Sequence, residues 1–312
     1  MKAAAAINRP KKPLWKRIWD ARYLYLLLLP GVIWFYIWHY IPMDGVILAF
    51  KKYNARLGIW GSQWVGFKNF NRIFITPAAF QSIINTLEIS LTRLIVEFPL
   101  PILLALMLNE VRHKQGKKLL QTVYTFPHFL SWVVISVILT NFFATSGFFN
   151  IMLKAMGLEP MRILASKELF RPLLYFTSNW KESGWSSIIF LAAISGIDPT
   201  LYEAAEIDGA NRLQQAWYIT VSCIRDTIVI MFILAVGGIM NAGFDQVFNL
   251  QNDAVKDVGR IIDTYVYEIS FQSAPDYGFS AAVGIFKSVI NLIMMLIANF
   301  VCRKLSGAGL FA

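Results

Sequence analysis

Few side chains in this sequence could do chemistry, and most of them lie inside long apolar runs. An ionisable group there costs several kcal/mol unless it is paired or wet, so each is a functional candidate by default. Asn179, Lys181 and Glu182 flank Trp180 and Trp185. Aromatic faces beside hydrogen-bonding groups suit a sugar ring, whose C–H face stacks while its hydroxyls bond; the same residues also suit an aromatic belt at the outer end of a span. Asn241, Asp245, Gln246 and Asn249 fall at i, i+4, i+5 and i+8. On one continuous helix that spacing is a polar stripe, which must line a cavity or a helix interface. Lys287 and Asn291 form a smaller i, i+4 pair, and Arg93 and Glu97 another, either structural or on a transport path.

None of these groups is an enzyme constellation. There is no Ser/His/Asp arrangement at a known spacing, no H-E-x-x-H and no phosphate-cradling glycine loop. His39, His113 and His128 are scattered, and Cys223 and Cys302 suggest neither a disulfide framework nor a metal site. No cofactor is expected in this chain. If it transports actively, another chain must hydrolyse the ATP.

One polar segment, 198–222, separates two apolar runs. It carries Glu203, Glu206, Asp208 and Arg212 within ten positions. Asp198 is placed to cap a helix with Pro199 at its first position. Gly209 supplies a joint, and Leu213, Trp217 and Ile219 or Val221 give a second helix an apolar side. A compact helical elbow of this kind suits a grip from outside the bilayer.

Glu203-Ala204-Ala205 and Asp208-Gly209-Ala210, followed by Ile219, resemble the EAA loop of permeases in binding-protein-dependent ABC importers. Ser222, and Asp226 after it, stand where that family carries prolines, which predicts a more continuous helix into the next span. The resemblance extends to Asn109-Glu110-Val111, Pro127-His128-Phe129-Leu130-Ser131-Trp132, Gly184-Trp185, Gly243-Phe244-Asp245-Gln246 and Thr264-Tyr265-Val266-Tyr267. These are similar to the oligosaccharide branch of carbohydrate permeases, which includes importers of pectic and alginate fragments. The resemblance implies the all-α type I importer permease fold with a cytoplasmic coupling helix. It also implies a second homologous permease in a heterodimer, two cytoplasmic ATPase subunits that bind ATP-Mg, and an extracytoplasmic solute-binding protein that delivers an oligosaccharide. Glu203, Ala204, Ala205, Asp208, Gly209, Ala210 and Arg212 would then meet the ATPase. Rival readings are a same-fold permease for another solute, or a membrane enzyme or scaffold.

The elements that must position these residues follow from composition. The 312 residues are 56% hydrophobic and 15% charged, with a net charge of +10, and the mean hydropathy is +0.52. That is a polytopic membrane protein, and its excess charge points to basic inner loops, not to nucleic acid. A basic tail over 1–22 precedes a single permease domain over 23–312. Six spans are expected at about 23–41, 83–108, 119–144, 173–196, 227–250 and 279–301. The charges closest to the first span place both termini and the elbow on the inner side of a bacterial cytoplasmic membrane.

Overall fold

A computed structural model describes residues 13–272 and 275–311. Most of the expected basic tail, with Lys2, Arg9, Lys11 and Lys12, lies outside the described residues. Almost everything described is helix; the strands are the two-residue pair β1 (Lys51–Lys52) and β2 (Gln63–Trp64).

The first apolar run begins in α1 (Arg22–Phe35) and continues through a π-helical and a 3-10 stretch to Phe50. Its most apolar part is not buried within the chain. After the β-hairpin come α2 (Lys68–Ile75), α3 (Pro77–Glu97) and α4 (Pro99–Glu110). The last two form one 34-residue membrane-length helix. Pro77 sits in the first turn, where the missing N–H is not needed, and Pro99 follows the one-residue break at Phe98 between the two segments.

The expected third span is split. α5 (Lys114–Thr125) stops at a 3-10 turn over Phe126–Phe129, and α6 (Trp132–Phe143) restarts with the Ser131 hydroxyl accepting from the Val134 N–H. Pro127 has no N–H to continue the ladder. With α7 (Phe148–Ala155), α6 gives a 24-residue helical run.

α8 (Lys167–Ser195) is the central helix, 29 residues long and capped by Ser166. It begins six residues before the expected span, so positions 179–185 fall at its middle and not toward its outer end. Gly184 allows a close approach there: a Cβ would lie 2.0 Å from the Tyr124 carbonyl oxygen on α5.

The elbow contains α9 (Pro199–Ile207) and α10 (Arg212–Gln214), which runs into a π-helical stretch, Gln215–Val221. α9 bends 74° from α8, and the second arm bends 65° from α11 (Arg225–Gly237). The exit is therefore not the more continuous helix expected from Ser222 and Asp226. Its turn follows the π-helical stretch, and such insertions kink helices without proline.

The fifth apolar run is also broken. α11 ends at Gly237, Gly238 caps it, and α12 (Phe244–Leu250) starts after Gly243 at φ +81°. The segment 251–276 then carries α13 (Ile262–Tyr267), and α14 (Tyr277–Ser306) follows it. Ile89, Phe170, Leu174, Val247 and Ile261 pack α3, α8, α12 and the 251–276 segment into one core. Ala105, Leu108, Phe190, Ile194 and Ile224 pack α4, α8 and the elbow exit into another.

Candidate functional site

Three arrangements hold the candidate residues: a polar cluster at mid-α8, a buried network beneath α12, and the elbow.

At mid-α8 the Lys181 ammonium is buried and donates to the His128 carbonyl at 2.7 Å. It also pairs with Glu182 Oε1 at 2.9 Å. Glu182 Oε2 lies 2.7 Å from His128 Nδ1, and the His128 ring stacks on Trp185 with centroids 4.5 Å apart. The 3-10 turn brings His128 here, because the break after α5 aims Pro127-His128-Phe129 back at α8. The Lys181 charge is thus satisfied, whereas Trp185 is 46% exposed and presents an aromatic edge next to a bonded carboxylate. Asn179 donates to the Tyr175 carbonyl at 3.2 Å, while its buried Oδ1 has no partner. With Trp180, Tyr124, Phe176 and Ser183 it borders a separate cavity of about 600 Å³. Asn179 and Trp180 therefore face a hollow that the Lys181–Glu182–Trp185 cluster does not line. In the sequence His128 is marked only by its place in the Pro127-His128-Phe129-Leu130-Ser131-Trp132 stretch of the resemblance, and not as a site residue.

The expected stripe does not exist as one face. Asn241 lies in the break between α11 and α12, exposed at the edge of a cavity of about 350 Å³ that Arg93 and Glu97 also line. Gln246 points the other way and is buried. Its Nε2 donates to the Leu174 carbonyl at 2.9 Å and to Thr177 Oγ1 at 2.8 Å, and its Oε1 accepts from Arg93. Arg93 Nε lies 3.5 Å from Glu97, whose other oxygen accepts from Ser178 at 3.1 Å. Gly243 makes room for this network: a Cβ would sit 2.3 Å from Arg93 Nη1. Asp245 is exposed, and Asn249 donates to the Asp245 carbonyl at 2.7 Å. The i, i+4 spacing failed because glycines interrupt the helix on which it depended.

Lys287 and Asn291 do not pair either. Lys287 binds Asp263 on α13, and Asn291 Oδ1 accepts from the Met240 N–H at 2.9 Å. Both tie α14 to other elements.

The elbow has the local structure that the sequence predicts for it. Asp198 Oδ1 accepts from the Thr200 N–H at 3.0 Å, and that bond holds its carboxyl below the usual range. Gly209 adopts φ +78°. Asn211 and Gln214 form a reciprocal capping box. Tyr202 and Thr220 join the two arms through their hydroxyls at 2.9 Å, and Gln215 donates to the Ala210 carbonyl at 3.0 Å. Glu203, Ala204 and Asp208 are exposed, and Ala205 and Ala210 are half-buried. Arg212 lies 3.5 Å from Glu110 at the end of α4, which puts the α4–α5 loop beside the elbow. Leu213 and Trp217, expected to give the second helix an apolar side, point outward with Ile207: they are 80%, 65% and 87% exposed. The bracing is internal, and the apolar face is left uncovered.

Residues 97–307 match the model of a family described as binding-protein-dependent transport system inner membrane component. The chain is 42% identical over 302 residues to the polygalacturonan/rhamnogalacturonan transport system permease protein YteP of Bacillus subtilis (strain 168), covering 96% of this chain and 94% of that protein. It is 27% identical over 289 residues to the arabinooligosaccharides transport system permease protein AraP of the same organism, covering 91% and 88%. Its structure superposes with a TM-score of 0.86, at 38% identity, on a chain of a bacterial alginate ABC transporter solved with an alginate pentasaccharide-bound periplasmic protein. That match covers 95% of this chain and 99% of the other.

Proposed function

The chain belongs to the family of binding-protein-dependent transport system inner membrane components, and from that premise we propose that it is the permease subunit of an ATP-driven importer of oligosaccharides. The observation that carries this reading is the elbow: an internally braced helical lever with a bare apolar face formed by Ile207, Leu213 and Trp217. Apolar surface of that kind marks a docking site.

The elbow docks on one of two cytoplasmic ATPase subunits, which bind ATP-Mg and supply the energy. A second, homologous permease completes a heterodimer, and an extracytoplasmic binding protein hands over the sugar. Both termini and the elbow lie on the cytoplasmic side. ATPase closure moves the elbow as a rigid piece. The 74° and 65° bends deliver that displacement to α8 and α11. α8 holds the His128–Glu182–Trp185 cluster at its centre, so the lever and the best aromatic and polar site for a sugar share one rigid helix. Relatives named for polygalacturonan, rhamnogalacturonan and arabinooligosaccharides support a plant-polysaccharide fragment as the solute class.

Purification of the chain from its native membrane should bring down an ATPase whose hydrolysis rises when sugar-loaded binding protein is added. A chain that purifies alone, with no effect on any ATPase, would contradict the reading. Replacing Trp185 by Ala should lower sugar uptake while leaving the complex assembled; unchanged uptake would remove Trp185 from the path.

A further inference from the structure

α5 carries a polar stripe that nothing so far explains. Lys114, Lys118, Gln121, Thr122 and Thr125 recur at i, i+4, i+7, i+8 and i+11, which places them on one side of the helix. Leu119 and Val123 lie off that side and are 65% and 59% exposed. No residue of α5 is fully buried, and Lys114, Lys118 and Thr122 on the polar side are exposed while Gln121 and Thr125 are half-buried. The apolar side suits lipid. The polar side does not, because amide and hydroxyl groups facing hydrocarbon lose their partners.

Two of these groups have unspent bonding capacity. The Gln121 amide makes no hydrogen bond among the described residues, and Thr125 Oγ1 is buried without a partner. Lys118, Gln121, Thr122 and Thr125 line one wall of a hollow of about 340 Å³, whose far end is Phe129 and Ile188. Phe129 meets Trp185 edge-on at 5.8 Å, and Trp185 stacks on His128. The stripe thus runs from the α4–α5 loop, which the Arg212–Glu110 contact places beside the elbow, up to the aromatic cluster at mid-α8.

We propose that this face of α5 is the inner half of the solute path, the wall along which sugar leaves the His128–Glu182–Trp185 cluster for the cytoplasm. The proposal rests on the reading of the chain as a solute permease. Gln121 and Thr122 offer amide and hydroxyl partners to a passing sugar, and Thr125 lines the same hollow. Lys114 and Lys118 make the mouth cationic, with no acid within ion-pair distance among the described residues. At the upper end, the Glu182 carboxylate is paired with Lys181 and hydrogen-bonded to His128. A path with a cationic mouth favours an oligosaccharide that bears carboxylates.

The test is thiol accessibility in the assembled transporter, in inside-out vesicles, with Cys223 and Cys302 replaced by Ser. Gln121→Cys and Thr125→Cys are compared with the lipid-side controls Leu119→Cys and Val123→Cys, using a sulfonate-bearing and a trimethylammonium-bearing methanethiosulfonate. Thiolates form only where water reaches, so positions 121 and 125 should react about tenfold or more faster than 119 and 123. ATP plus vanadate, which holds the outward-facing state, should suppress that reaction. The sulfonate reagent should outpace the cationic one at position 121, and Lys118→Gln should erase that preference. Reaction at 121 and 125 as slow as at the controls would mean that the stripe is packed against the partner permease or lipid, and would overturn the proposal. A missing sulfonate preference would overturn its charge component. Stimulation of hydrolysis by loaded binding protein, measured on the same vesicles, tests the permease reading separately.

Discussion

Gly209 and Gly243 have nearly the same φ, +78° and +81°, and opposite surroundings. A Cβ at Gly209 would meet nothing within 4 Å, whereas one at Gly243 would collide with Arg93. The first glycine turns an elbow that projects away from its own chain. The second opens a slot for a guanidinium held by Gln246 and Glu97 in the interior. The chain therefore keeps its exposed lever and its buried polar network separate. One has spare apolar surface and few internal obligations; in the other, most polar groups are committed to partners across helices. A substitution in the lever should cost coupling, and one in the network should cost the fold.

The sharpest way to break this contrast is Gly243→Ala. It adds left-handed strain of about 1–2 kcal/mol and pushes the Arg93 guanidinium off Gln246 while Glu97 stays beside it, so the lost bond to a charged group adds about 1.5–3 kcal/mol. Thermal unfolding in detergent should show a large loss of folded protein, and an unchanged midpoint would dissolve the distinction. Gln246→Leu should cost less, about 1.5–3 kcal/mol for a bond to a charged group, and Gln246→Glu should recover part of it by keeping the acceptor. In the lever, Ile207→Asp should leave stability within about 0.5 kcal/mol yet abolish co-purification of the ATPase. Retained ATPase would mean that the bare face is not the dock.

The smallest effect concerns the latch between the start of α8 and the 251–260 loop. The Lys167 ammonium, 2.6 Å from Asp257, holds that carboxyl below its ordinary range. A depressed carboxyl stabilises the fold above its unfolded value, and that contribution is lost as pH falls through the folded one. Both groups are exposed, so the global change should be small. Hydrogen exchange over 251–260 should quicken modestly in acid, and Asp257→Asn should flatten that dependence.

The lever was legible in the sequence because its determinants are local. Asp198 caps the N–H two residues on, Pro199 belongs in a first turn, and Gly209 is where a left-handed residue is needed. The network was not legible, since Arg93 and Gln246 are 153 residues apart and no periodicity encodes their meeting. The polar stripe at 241–249 was misread for the same reason: it assumed a helix that Gly238 and Gly243 interrupt. Lys287 and Asn291 share a helix face but are committed to Asp263 and Met240, partners that spacing on one helix cannot reveal. The bent exit at 215–225 was missed because a π-helical stretch has no residue signature as clear as proline. The membership of mid-α8 residues in a candidate site was readable from their types, but their bonding to His128 required the fold of the 126–130 turn.

The most direct test of the central claim, that a rigid elbow carries ATPase motion into α8 and α11, is hydrolysis by the reconstituted transporter with and without sugar-loaded binding protein. The comparison is wild type against Gly209→Val, whose side chain has room but cannot easily keep the φ. The account predicts that the variant inserts and assembles but that loaded binding protein no longer stimulates hydrolysis. Stimulation equal to wild type would contradict it.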